Sequence, residues 1–383
     1  MLAAERRATT LLALLLFLRM LGLFLVLPVL SPWALQLAGE PGLAVGLAVG
    51  VYGLTQALLQ VPLGWLSDVI GRKPVIAAGL LIFVAGSLLA AVAHSVETLV
   101  LGRLLQGCGA IAATSTALLA DLLRESVRAI ALAVSGIGIG MAFLLSLLLG
   151  PLLLPYAGVP GLFLLAALLG VLALGLLAAL PRPPASVAAG AAVPARGLPS
   201  GVAALVLAVG VLHALLAALF VVLPLELPAQ AQWRTWLPAV LLSAVLVFPL
   251  LRWIETRGWQ WRALAPAFAV LLLGLAGLSA VPHAGVWPTL ALFFVAFNLL
   301  EASLPSLLTR LVGPARRGRV MGVFSSAQFF GVFAGSALAG WLYAHYGATA
   351  TLLGVALLGL APLLYLQRLP AQARRVAATS AGA

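Results

Sequence analysis

Charge is what this sequence has least of. Only 8% of its 383 residues are charged, nine of them acidic, and cysteine occurs once, at Cys108. A single cysteine excludes a disulfide framework and a cysteine-built metal site within one chain; inside an apolar run it reads as a small hydrophobe. Lysine is as rare: of 21 basic residues all but Lys73 are arginine. Four scattered histidines supply neither a nucleophile–base pair nor a metal cluster, so an enzyme and a bound cofactor are not expected. The net charge of +12 is not the footprint of a nucleic-acid partner, because its arginines fall between apolar runs.

What is abundant is apolar side chain, at 64%. No water-soluble domain covers that much apolar surface, so the bilayer is the solvent. A span needs about 20 residues, and apolar runs fall near 11–37, 43–66, 74–93, 97–120, 129–152 and 158–180. Six more lie near 200–225, 235–252, 263–281, 286–309, 320–343 and 347–367, after a stretch at 181–199 rich in Pro, Ala and Gly. That stretch reads as a flexible linker. The expected organisation is a six-helix lobe at 1–180, a cytoplasmic linker at 181–199, a second six-helix lobe at 200–368 and a short cytoplasmic tail at 369–383. Arg6 and Arg7 before Leu11–Leu18 imitate a secretory signal, but apolar character continues past Leu30 without a cleavage site, which predicts a retained first span.

The basic residues test this topology. With the N-terminus inside, the inner segments hold 18 of the 21 and the outer loops hold only Arg234, while Arg19 and Arg103 sit within spans. The positive-inside rule then places both termini in the cytoplasm. The halves also echo each other: Arg128-Ala-Ile-Ala-Leu-Ala-Val-Ser comes after span 4 and Arg319-Val-Met-Gly-Val-Phe-Ser-Ser after span 10, as in related lobes.

Between spans 2 and 3 stands Gly64-Trp65-Leu66-Ser67-Asp68-Val69-Ile70-Gly71-Arg72-Lys73, a turn holding three charges. Asp68 can take orphan N–H groups at a helix end, Gly71 permits a turn that a Cβ hinders, and Arg72 with Lys73 holds the turn inside. This Gly-x-x-x-Asp-x-x-Gly-Arg-Lys pattern resembles the cytoplasmic signature of the major facilitator superfamily. Leu99-x-x-x-Arg103-x-x-Gln106-Gly107 matches the family's fourth-helix motif. Gly150-Pro151, after Ser135-Gly136-Ile137-Gly138-Ile139-Gly140, resembles a partial form of the antiporters' fifth-helix motif, without the glycine pair expected after it. The branch most similar is the YajR-like, drug-efflux type, through Leu27-Pro28-Val29-Leu30, Tyr52-Gly-Leu-Thr-Gln56, Phe293 to Glu301 and Gln328-Phe-Phe-Gly331-Val. Two departures stand out: Val69 replaces the arginine usual after the aspartate, and the soluble domain that some members carry after span 12 is not expected.

A charge in the bilayer costs several kcal/mol unless paired or hydrated, so intramembrane ionisable groups are the first functional candidates. Span 1 carries Arg19, span 4 Arg103, span 7 His213 and span 10 Glu301 with Asn298, while spans 3, 6, 9 and 12 carry none. In the resembled family spans 1, 4, 7 and 10 line the central cavity and the empty four face lipid. Glu301 is the one acidic residue expected deep in a span, and can carry a proton as its surroundings change; the alternative is a tie to His213 or an arginine. Asn298, one turn earlier, lies on the same face and can bond that carboxyl or a substrate. Arg103, with Gln106 on its face, either tunes a carboxyl or holds backbone carbonyls. Arg19 either faces the cavity or snorkels to headgroups. His213 can be a packed core residue, and Gln56, Gln60 and Gln328 can be cavity contacts or interhelical links.

The expectation is therefore an all-α membrane protein with twelve transmembrane helices in two pseudo-symmetric six-helix lobes, residing in the inner membrane. The resemblance implies a monomeric, proton-coupled exporter of small, largely hydrophobic molecules that works by alternating access, with a proton-coupled importer or a non-transporting receptor as alternatives. It further implies a cytoplasmic gate of Gly64, Asp68, Gly71, Arg72 and Asp121, in which Asp68 docks on the start of span 11 and Arg72 pairs with Asp121.

Overall fold

The computed structural model describes residues 1–181, 200–280, 286–312 and 314–367, all helix and short turn. The expected linker beyond Pro181, the tail after Arg368 and the side chains of Arg316 and Arg317 lie outside the described residues. The chain divides into two compact units, Met1–Gly39 with Val51–Pro194 and Glu40–Gly50 with Ala195–Ala383.

In lipid every backbone N–H and C=O must find a partner within its own segment, which leaves apolar runs only the helix. The first unit builds α1 (Ala3–Phe24), α2 (Leu27–Ala38), α3 (Leu43–Ile70) from residue 51 on, α4 (Arg72–Ala91), α5 (Val96–Cys108), α6 (Ala112–Leu122) and α7 (Glu125–Ala179). The second builds α8 (Ser200–Glu226), α9 (Ala229–Thr256), α10 (Gln260–Ala280), α11 (Val286–Leu311), α12 (Pro314–Leu358) and α13 (Leu360–Gln367). Among the described residues ten helical segments are long and apolar enough to cross a bilayer, two of them 55 and 49 residues long. A 55-residue helix would run about 80 Å, against a hydrocarbon core of about 30 Å. Each long segment is broken by a glycine in the left-handed region, Gly158 at φ 63° and Gly347 at φ 74°. Split there, the ten segments are consistent with twelve spans.

In the first unit α1 lies along α7, and α4 packs on α5 and α7. Their core joins Leu12, Leu15, Ile76, Leu80, Ile111, Leu118 and Leu177, all buried. In the second unit α12 lies along α8, α10 along α11, and α11 along α9. Residues 40–50 group with the second unit, apart from the residues on either side of them. The reason is small-residue packing: a Cβ on Gly46 or Gly50 would overlap Ser336 of α12.

Two interruptions expose polar backbone inside the first unit. Span 1 is broken between α1 and α2, where a Cβ on Gly150 of α7 would strike the carbonyl oxygen of Leu25. Gly150 and Pro151 thus form a packing point on that break, both buried. Span 4 is broken between α5 and α6 at residues 109–111, which strips carbonyls of their helical partners.

Candidate functional site

The α3–α4 turn is a compact charge network. Gly71, at φ 98°, supplies the reversal that other residues resist. Arg72 comes next and reaches back over the turn. Its guanidinium meets the Asp68 carboxylate, donates from Nε to Asp121 Oδ2 at 3.0 Å and from Nη1 to Ser67 Oγ at 2.7 Å. Ser67 in turn donates to the Gly64 carbonyl at 2.6 Å. Lys73 Nζ donates to the Leu180 carbonyl at 2.6 Å, which ties the start of α4 to the end of α7. One arginine therefore joins the ends of α3 and α6. On the same unit Glu5 holds Arg124 through two bonds, at 2.7 and 3.1 Å.

Deeper in the first unit two arginines are almost wholly shut off from solvent, Arg19 at 1% exposure and Arg103 at 0%. Arg103 Nη1 donates to Gln106 Oε1 at 2.6 Å, Gln106 Nε2 to Ser87 Oγ at 2.7 Å, and Ser87 to the Phe83 carbonyl at 2.7 Å. The Tyr52 ring lies 4.5 Å from the Arg103 guanidinium, a cation–π contact that strengthens without water. α5 comes this close to α3 because Gly107 has no side chain: a Cβ there would strike the Tyr52 carbonyl. Arg19 does not snorkel. Its Nη2 donates to the Gly109 carbonyl at 3.1 Å, in the break of span 4, and to Gln56 Oε1 at 3.4 Å.

In the second unit the structure gathers three side chains from α8, α11 and α12. Gln328 Nε2 lies 2.7 Å from His213 Nε2 and 3.2 Å from Glu301 Oε1. His213 Nδ1 is 3.1 Å from the Val209 carbonyl, which can only accept. Nδ1 therefore carries the hydrogen, and the neutral ring offers its Nε2 lone pair to the Gln328 amide. His213 Nε2 and Glu301 Oε2 are 3.7 Å apart, with the His213 side chain 10% exposed and Glu301 38%. The Phe297 ring meets His213 edge-on at 5.6 Å. A second proton on His213 turns Nε2 into a donor, and its nearest acceptors are Glu301 and the oxygen of a reversed Gln328 amide. Proton arrival thus forces a choice of partner.

Asn298 stands elsewhere. Its Nδ2 donates to Ser243 Oγ of α9 at 2.7 Å, so the carboxyl of Glu301 is met by Gln328 instead. The i,i+3 spacing sets both on one side of α11, and the neighbouring helices divide them. In the sequence Gln328 is legible as a cavity contact or an interhelical link, with no partner named. Ser87 and Ser243 carry no separate signal there, and Tyr52 appears only within the Tyr52–Gln56 stretch that resembles the family. Among the described residues no group of three His, Cys, Asp or Glu side chains could hold a metal ion.

The chain is similar to known proteins. Residues 12–306 match the family model of the Major Facilitator Superfamily. The Escherichia coli inner membrane transport protein YajR is 38% identical over 92% of this chain and 81% of its own length. The multidrug resistance protein MdtH of Cronobacter sakazakii is 28% identical over 84% and 83%. Among solved structures the nucleoside transporter NupG aligns at a TM-score of 0.75 and 15% identity, over 94% of this chain and 99% of that one. At that identity the likeness is one of fold.

Proposed function

The chain belongs to the major facilitator superfamily of membrane transporters, and on that premise we propose that it is a proton-coupled exporter of small, largely hydrophobic molecules working by alternating access. The observation that carries this reading is the Glu301–Gln328–His213 cluster, an acid and a base 3.7 Å apart with one amide between them. Two titratable groups that share an amide answer one proton by changing partners, which is how a binding event biases one conformation over another. The half-exposed carboxylate supplies the proton's entry. MdtH, named for multidrug resistance, supports the export direction.

The proposed gate lies at the cytoplasmic turn. Arg72, held by Asp68 and Asp121, keeps the ends of α3 and α6 together. Gly64 and Gly71 shape that turn, and Gly150 with Pro151 fixes α7 against the broken first span.

Glu301→Gln tests the coupling, because the amide mimics a permanently protonated carboxyl. Reconstituted protein should keep binding and downhill exchange of its substrate but lose uphill transport driven by an imposed pH gradient. Full uphill transport in a well-folded Glu301→Gln protein would refute the coupling role.

A further inference from the structure

The transport reading assigns no task to Arg19, and its surroundings are unusual. The side chain is 1% exposed, yet its acceptors are one carbonyl, one amide oxygen and the Met20 sulfur at 3.0 Å. A thioether is a weak acceptor. Among the described residues no carboxylate lies within 4 Å of it. Its Nε–H is buried with no partner, and so is the Nε2 amide of Gln56, whose oxygen it already holds. Two orphan donors, one of them on a cation, therefore sit beside each other at membrane depth. A buried charge without a counter-charge is costly, and each unmade hydrogen bond costs about 1–3 kcal/mol more. The two unmade donors, the Arg19 Nε–H and the Gln56 Nε2 amide, can meet the two oxygens of one carboxylate. The Phe83 ring, 5.8 Å from the guanidinium, adds an apolar wall for the rest of a small acid.

We propose that Arg19 and Gln56 bind the carboxylate of the transported molecule, so that the substrate class is a small hydrophobic organic acid rather than a hydrophobic cation. This rests on the transport reading and narrows its substrate. Gly109, in the break of span 4, then holds Arg19 in place, and the helix movements of alternating access admit the ligand. Tyr52, one turn from Gln56 on α3, meets the Arg103 guanidinium of α5, which extends the cationic field of the site.

Binding to the purified full chain in detergent, without any gradient, tests this. The probes are benzoate, cinnamate and octanoate, each beside its amide and its amine of matching size, in chloride-free buffer. At least one carboxylate should bind tenfold or more tighter than both analogues, by roughly the strength of a charge-assisted hydrogen bond. Arg19→Lys keeps a charge but loses the planar edge, and should weaken that binding several-fold; Gln56→Leu should do the same while Arg19 remains. Glu301→Gln should leave it intact, so coupling and substrate class fail separately. No preference for any of the three carboxylates would overturn the proposal, as would equal binding in folded Arg19→Lys protein. Chloride displacing the acids and binding more tightly than they do would make this an inorganic-ion site, and would overturn it too.

Discussion

Glu301 and His213 are one site because Gln328 stands between them. Among the described residues neither has an ion-pair partner at hydrogen-bonding distance: the nearest approach is 3.7 Å, and both instead use the same amide nitrogen. That geometry makes His213→Asn informative. An asparagine amide can reproduce the Nδ1 bond to Val209 but has nothing at the Nε2 position. Folding should therefore survive, with a melting temperature near that of the parent, since one neutral hydrogen bond is worth about 1 kcal/mol net. Hydrogen bonds to charged groups are worth ~1.5–3 kcal/mol, so pH-driven uptake into proteoliposomes should fall about tenfold or more. Unchanged uphill transport would remove His213 from the coupling site and leave Glu301 to act alone. Asn298, by contrast, is spoken for by Ser243; its spacing from Glu301 is legible in the sequence, its partner is not.

At the scale of elements, the turn between α3 and α4 is joined to the end of α6 by one arginine with two carboxylates. Such partly exposed pairs are individually weak, about 0–1 kcal/mol, but a conformational balance is sensitive to that amount. The two carboxylates can be told apart. Asp121→Asn removes one arm from Arg72 and nothing else, whereas Asp68→Asn also removes the charge available to a helix N-terminus, worth about 0.3–2 kcal/mol. Asp68→Asn should therefore depress transport several-fold more than Asp121→Asn, with both proteins inserted and expressed. Equal effects, measured as initial rates in whole cells, would confine Asp68 to holding Arg72. The broken elements obey the same logic: the interruption at residues 109–111 frees a carbonyl, and Arg19 fills that need.

For the molecule as a whole, the eighteen-to-one asymmetry of basic residues between inner and outer segments predicts cytoplasmic termini. In a Cys108→Ser background, Ala185→Cys and Gln372→Cys should resist a membrane-impermeant thiol reagent in intact cells, and Glu40→Cys should react. Labelling at Ala185→Cys would reverse the orientation. The all-helical membrane class, the approximate span positions and the family were readable from the chain alone. Apolar length and charge placement are local properties, and a bilayer leaves an apolar segment few alternatives to helix. The sequence likewise marked Arg19, Arg103, His213 and Glu301, because ionisable groups are conspicuous in an apolar run. What only the tertiary structure decided is how they are partnered. His213 meets Glu301 across 88 positions through Gln328, Arg19 turns to a carbonyl 90 positions away instead of to headgroups, and residues 40–50 group apart from the residues on either side of them. Each of these depends on which helix faces lie together and how closely small residues let them approach, and no single segment of the chain contains that information.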